Sequence, residues 1–152
     1  MQDKSEYELV KVDMKDKSLY DQVHHVRRTF IEDLGDNQAS LIEDDEITDI
    51  YLLCFKNEPV ATARIHKKES GYKIERIATE RTKQKQGLGK ILMEKIHGID
   101  FPILKKGELV YLHSQIHAIP FYEKCGYHKV GEQFIEDEVI WHNKMIHNDT
   151  RH

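Results

Sequence analysis

Three apolar, β-rich runs follow one another between Ile50 and Thr79, joined by connections too short to hold a helix, and then the periodicity changes. Ile50 to Phe55 and Val60 to Ile65 are separated by Lys56-Asn57-Glu58-Pro59, which reads as a hairpin. Ser70-Gly71 turns the chain into a third run, Tyr72 to Thr79. From Gly87 onward Leu88, Ile91, Leu92 and Ile96 recur at helical spacing, with Gly98 as a stop signal. An antiparallel meander that runs straight into a helix leaves few architectures open.

The flanking segments narrow them further. Tyr7 to Val12 alternates as a strand, and Ser18 to Leu34 places Leu19, Val23, Val26, Phe30 and Leu34 on one helical face. Residues 35 to 49, with Glu43-Asp44-Asp45-Glu46, read as a solvated acidic connection. Leu109 to Leu112 is a short buried strand, Ala118 to Lys124 a short helix stopped by Gly126, and Tyr127 to Val130 and Val139 to Ile146 are closing strands. The order β-α-β-β-β-α-β-α-β-β predicts a mixed sheet covered by helices, in the α/β or α+β class. With 152 residues and no Ser/Gly/Pro-rich linker, residues 1–152 are expected to form a single domain that buries roughly two-thirds of its unfolded surface without cross-links. A last strand left at the sheet edge offers pairing to a second copy, so a homodimer is compatible with this order.

Composition excludes several functions. A net charge of −4, with both signs mixed along the chain, gives no basic stripe, so nucleic acid is not an expected partner. No apolar run approaches the ~20 residues that cross a bilayer, and Met1-Gln2-Asp3-Lys4-Ser5-Glu6 does not begin a secretory leader, so no membrane association is expected. Cys54 and Cys125 form no disulfide framework, which favours the reducing cytoplasm. Among the ten histidines, His113 and His117 straddle a strand-to-helix crossing without a supporting Cys or carboxylate, so no metal is expected.

The strongest local signal is the strand Ile74 to Thr79 passing through a basic loop into Gln84-Lys85-Gln86-Gly87-Leu88-Gly89 at a helix start. Glycines let the backbone approach a ligand, and first-turn N–H groups carry the positive end of the helix dipole, so the stretch reads as a pyrophosphate cradle. Arg81, Lys83 and Lys85 add charge there. A P-loop fails, because Gly89-Lys90 is preceded at the required spacing by Gln84 and followed by Ile91; a dinucleotide fingerprint fails because Leu92 stands where a third glycine or alanine belongs.

A second constellation follows: Leu112-His113-Ser114-Gln115-Ile116-His117-Ala118-Ile119-Pro120-Phe121-Tyr122-Glu123-Lys124-Cys125-Gly126-Tyr127. The two together resemble the GNAT superfamily of acyl-CoA N-acyltransferases. Arg27-Arg28-Thr29-Phe30, Ala63-Arg64-Ile65, His113-Ser114-Gln115, Phe134 and Trp141-His142-Asn143-Lys144-Met145 are similar to its ElaA-type branch. This chain departs from the branch at Glu138-Val139-Ile140-Trp141-His142, where Asp/Glu-Gly-Ile-Pro-His is usual.

The resemblance implies a mostly antiparallel central sheet of about six to seven strands and acetyl-CoA as co-substrate. Its pattern Gln/Arg-x-x-Gly-x-Gly/Ala falls on Gln84, Gly87 and Gly89, so the amides of Lys85, Gln86, Gly87, Leu88, Gly89 and Lys90 would grip the diphosphate. Main-chain groups of Ile77, Ala78 and Thr79 would bond the pantetheine arm and the acetyl carbonyl, with Phe121 and Tyr122 beside the cofactor. Gln115 stands where many members carry Asn near that arm. Tyr122 is implied as general acid on the leaving thiolate.

Attack on a thioester needs a neutral amine, and the residues that could take its proton are Glu75, His113 and His142. Arg64 and Arg76 are expected to pair with Glu75 in preference to holding an anionic acceptor, and Cys125 to pack as a small residue. The expected reaction is acetyl transfer from acetyl-CoA to a primary amine of a small molecule by direct attack in a ternary complex. A peptide or protein amine as acceptor, and a non-catalytic acyl-CoA-binding sensor or interaction module, are the alternatives.

Overall fold

A computed structural model describes residues 4–34, 38–83, 86–99, 108–136 and 140–148. The strands are β1 (Tyr7–Val12), β2 (Asp49–Phe55), β3 (Glu58–Lys68), β4 (Gly71–Thr79), β5 (Leu109–Gln115), β6 (Tyr127–Glu136) and β7 (Ile140–His147). The helices are α1 (Lys17–Leu34), α2 (Gln38–Ile42), α3 (Leu88–Ile99) and α4 (Ile119–Lys124). The expected order holds, apart from α2, a five-residue helix inside the acidic connection. Helix α1 starts where Asp16 caps it: its Oδ1 accepts from the Leu19 N–H at 3.2 Å, which satisfies one of the orphan donors of the first turn.

The strands form one sheet in the order β1-β2-β3-β4-β5-β7-β6, with every neighbouring pair antiparallel except β4 and β5. The β2–β3 hairpin turns on Lys56 and Asn57, with φ of 50° and 68°, a pair of left-handed residues whose twist matches that of the flanking strands. The expectation about the last strand is corrected. β7 lies between β5 and β6, where it gains a ladder on both sides, so the edge is β6.

Strand β2 shows how the core is divided. Ile50, Leu52 and Cys54 pack with Val23 and Val26 of α1, whereas Tyr51 and Leu53, on the opposite face, join Leu88, Leu92, Met93 and Ile96 of α3. The period-2 alternation of a strand thus serves two cores, which is why β2 reads as a continuous apolar run. A helix on each face leaves the middle of the sheet, at β4 and β5, as the place where a cleft can open. Among the described residues no helix is long and apolar enough to cross a membrane.

Candidate active site

Strands β4 and β5 pair only at Gly71–Leu109, Tyr72–Val110 and Lys73–Tyr111, and both continue past that point. Their separation opens a wedge in the sheet. On its other edge β4 carries a bulge: Arg64 faces Glu75 and Thr62 faces Ala78, so Arg76 and Ile77 together oppose one residue of β3. A bulge bends and twists its strand, which turns the end of β4 away from β5.

Two cavities lie along the wedge. One of about 370 Å³ is lined by Ile77, Ala78, Thr79, Lys83, Gly87, Leu88, Gly89 and Phe121. The other, about 700 Å³, also takes in Ile77, Ala78 and Thr79, and adds Glu75, His113, Gln115, Tyr122, Glu136 and His142, with Ser40, Leu41, Glu43 and Asp44 on a further wall. The three residues at the end of β4 therefore border both cavities, which between them also take in the expected Glu75, Gly87, Leu88, Gly89, His113, Gln115, Phe121 and Tyr122. Gln84 and Lys85 lie outside the described residues; Gln86 is exposed beside the mouth of α3, and Lys90 is exposed on its first turn.

That mouth is open. Gly87 is exposed with φ 76°, and nothing lies within 4 Å of where its Cβ would stand. The Ile91 N–H bonds the Gly87 carbonyl, so the N–H groups of Leu88, Gly89 and Lys90 precede the first intrahelical bond. Gly89 serves a different need from the one its motif suggests. A Cβ there would stand 2.9 Å from Cζ of Phe121, so this glycine makes room for the ring, while Gly87 leaves the mouth free. Of the basic residues expected at the loop, Lys83 borders the smaller cavity, whereas Arg81 is paired with Glu32.

The base candidates separate by environment. Glu75 receives Arg64 Nε at 3.0 Å on one oxygen and Lys73 Nζ at 3.3 Å on the other. Burial raises its carboxyl, but Lys73 and then Arg64 outweigh burial and hold it below the usual carboxylate range. Such a carboxylate is a poor proton acceptor. The expected Arg64–Glu75 pair is present; Arg76 instead donates to main-chain carbonyls, Nε to Leu41 at 3.3 Å and Nη2 to Ser40 at 3.2 Å.

His113 sits in the larger cavity with Nδ1 3.1 Å from Oε2 of Glu136. A carboxylate only accepts, so Nδ1 carries the hydrogen and Nε2 keeps its lone pair. Burial, then Lys73, push the imidazole below its ordinary value against the pull of Glu136, so it is neutral at neutral pH. Phe134 packs edge-on to His113 at 4.9 Å and stacks on His142, whose Nδ1 is engaged with the Ile140 carbonyl. Tyr122 is half-buried against the core, and desolvation raises its phenol well above the ordinary tyrosine value, so it holds its proton. Gln115 ends β5, bordering the same cavity.

One residue of the acidic connection is not solvated as its composition suggests. Asp45 is 1% exposed. Its carboxylate accepts from Arg27 at 2.8 and 3.1 Å, from Arg64 at 2.9 Å and from the Tyr20 hydroxyl at 2.6 Å. Burial raises the Asp45 carboxyl, but the Arg27 and Tyr20 hydrogen bonds bring it below the usual range. The network ties α1, β3 and the connection together. Sequence reasoning also missed Glu136, which lies at the end of β6 and meets His113 from 23 residues away in the chain, and Thr29, whose hydroxyl donates to the Thr79 carbonyl at 3.2 Å. Among the described residues no group of three or more His, Cys, Asp or Glu is arranged to hold a metal, and Cys54 and Cys125 are free thiols.

Comparison with known proteins settles the family. The profile of the acetyltransferase (GNAT) domain matches residues 6–147. The chain belongs to the GNAT acetyltransferases. It is thereby an acyl-CoA-dependent N-acetyltransferase. It is 33% identical over 120 residues to YyaT of Bacillus subtilis, covering 74% of this chain and 78% of that protein. Escherichia coli ElaA shares its fold, with a TM-score of 0.74, 23% identity, and 93% of this chain and 99% of that one covered. A GNAT acetyltransferase from Elizabethkingia anophelis, solved with acetyl-CoA bound, also shares it, at TM-score 0.66 and 15% identity over 93% of this chain and 95% of that one. The seven-stranded open mixed sheet with its helices is the fold held in common.

Proposed function

We propose that this GNAT protein transfers the acetyl group of acetyl-CoA to a primary amine of a small molecule in a ternary complex. The smaller cavity and the open mouth of α3 suit the diphosphate and pantetheine arm, with donors from Leu88, Gly89 and Lys90 and charge from Lys83. The solved neighbour with acetyl-CoA bound supports this co-substrate. The larger cavity, at about 700 Å³, suits a small-molecule acceptor better than a folded protein surface.

One observation carries the reading: Tyr122, which keeps its proton, and His113, which keeps a bare Nε2, face one cavity beside the end of β4. His113 Nε2 takes a proton from the ammonium, the amine nitrogen attacks the thioester carbonyl, and the C–S bond breaks as Tyr122 gives its proton to the sulfur; the second proton leaves the acylated nitrogen to restore the Tyr122 phenol, and His113 releases its own to solvent. The products are the N-acetyl amine and free CoA thiol. Glu75, committed to Arg64 and Lys73, supports the site as a charge partner and not as the base. The free cysteines support a reducing, cytoplasmic setting. β6, as the edge, is the strand on which a homodimer would pair.

The test is thiol release from acetyl-CoA against a panel of small primary amines. Tyr122→Phe is expected to lower turnover about 100-fold, the low end of general acid catalysis, with CoA affinity by calorimetry unchanged. Equal turnover in both proteins removes Tyr122 from the acid role. Coenzyme binding without release against any amine, peptide amines included, favours a sensor over a transferase.

A further inference from the structure

Arg76 adopts φ 52° in the middle of a strand, at the bulge of β4. Glycine takes that conformation without cost, whereas a bulky side chain is strained there. Were the bulge needed only to part β4 from β5, glycine would serve it better. The arginine is therefore held in place by what its side chain does.

That side chain reaches across the larger cavity to the α2 segment, where Nε and Nη2 hold the Leu41 and Ser40 carbonyls. Ser40, Leu41, Glu43 and Asp44 form the wall of that cavity facing β4. The far end of the same wall is fixed independently, through Arg64 Nη1 on the Glu43 carbonyl at 2.5 Å and through buried Asp45. At the near end Arg76 holds the Ser40 and Leu41 carbonyls, the second of which it shares with Arg27 Nη1 at 3.5 Å. The residues directly after Arg76, Ile77 to Thr79, border the coenzyme cavity as well.

We propose that Arg76 is a positioning residue that couples the two cavities. Acetyl-CoA seated along Ile77 to Thr79 fixes the bulge torsions, the guanidinium of Arg76 is fixed with them, and the wall at residues 40–44 becomes ordered for the acceptor. This inference rests on the acetyl-CoA reading above.

The experiment is amide hydrogen exchange of residues 38–47, with and without acetyl-CoA, in the wild type and in Arg76→Gly. Glycine keeps the bulge conformation and removes the clamp. In the wild type acetyl-CoA slows exchange of this segment about fivefold or more, the lower range of coupling between sites. In Arg76→Gly the segment exchanges faster at the outset, and acetyl-CoA no longer slows it although it still binds. With an amine that the wild type acetylates, the variant raises the amine KM about tenfold and leaves kcat within about threefold, the signature of lost acceptor positioning. Arg76→Asn, which tolerates the same φ and is too short to reach the carbonyls, carries the same test should the glycine variant not fold. Wild-type exchange that ignores bound acetyl-CoA, or a full response in Arg76→Gly, overturns the proposal. Failure of the wild type to bind acetyl-CoA sinks the underlying coenzyme reading instead.

Discussion

A side-chain carbon on Gly87 would meet open space at φ 76°, whereas one on Gly89 would meet the Phe121 ring at 2.9 Å. Two glycines of one motif thus answer to different constraints, the first to backbone conformation and the second to packing between α3 and α4. Gly87→Ala is expected to cost about 1–2 kcal/mol, the strain of one left-handed non-glycine residue, read as a lowered denaturant midpoint. Gly89→Ala displaces Phe121 towards the coenzyme cavity that its ring borders. Overpacking of this kind costs roughly 1–3 kcal/mol, so coenzyme affinity by calorimetry is expected to fall about tenfold. Phe121→Leu in the same chain makes room again and recovers most of the loss; a double variant as weak as the single one would show that the ring is not what the added methyl strikes.

Between elements, the decisive contact is electrostatic. Arg27 from α1 and Arg64 from β3, at 0% and 3% exposure, converge on Asp45, and Arg64 continues to Glu75 on β4. Removing one charge from such a cluster strands the others away from water. Asp45→Asn is expected to destabilise the protein by about 3–5 kcal/mol and to lower the midpoint of thermal unfolding by about 10 °C. A loss below about 1 kcal/mol would mean that water reaches the guanidinium groups and that the network is ordinary surface pairing. The strands and helices that these residues join were legible in the sequence, because each is written locally: alternation in β1, apolar β-rich runs bounded by turn residues in β2 to β4, a 3.6-residue repeat in α1 and α3. The selection of Asp45 from Glu43-Asp44-Asp45-Glu46 was not. Four neighbouring acidic residues look alike to composition, and only the short 3-10 turn at Asp45–Ile47, laid against α1 and β3, turns one of them inward.

For the whole molecule, what escaped the sequence is what depends on distant pairing. The end of β6 meets β5 where Glu136 bonds His113, and the insertion of β7 between β5 and β6 brings His147 against α3. There His97 Nε2 lies 2.8 Å from the Tyr127 hydroxyl and its ring stacks on His147 at 3.9 Å. Burial, with His147 adding to it, lowers the His97 imidazole to about 3. The folded protein therefore leaves His97 unprotonated at a pH where the unfolded chain, titrating near 6.5, takes up a proton. A depressed folded value places this stability above the unfolded value and removes it as pH falls from about 6.5 towards 3, by up to about 1.4 kcal/mol per pH unit. Between pH 6.5 and 5 the wild-type unfolding midpoint should fall by about 3 °C per unit on this account alone. His24 and His113, also lowered by burial, push in the same direction. Asp45 and Glu75, held below the usual carboxylate range, lose their contribution only at more acid pH. His97→Gln keeps a group that can bond Tyr127 and cannot titrate, so its midpoint should be flatter than the wild type's across this window. Parallel decline in the two proteins would assign the slope to His24 and His113, and would mean that the packing of β7 against α3 leaves His97 open to solvent.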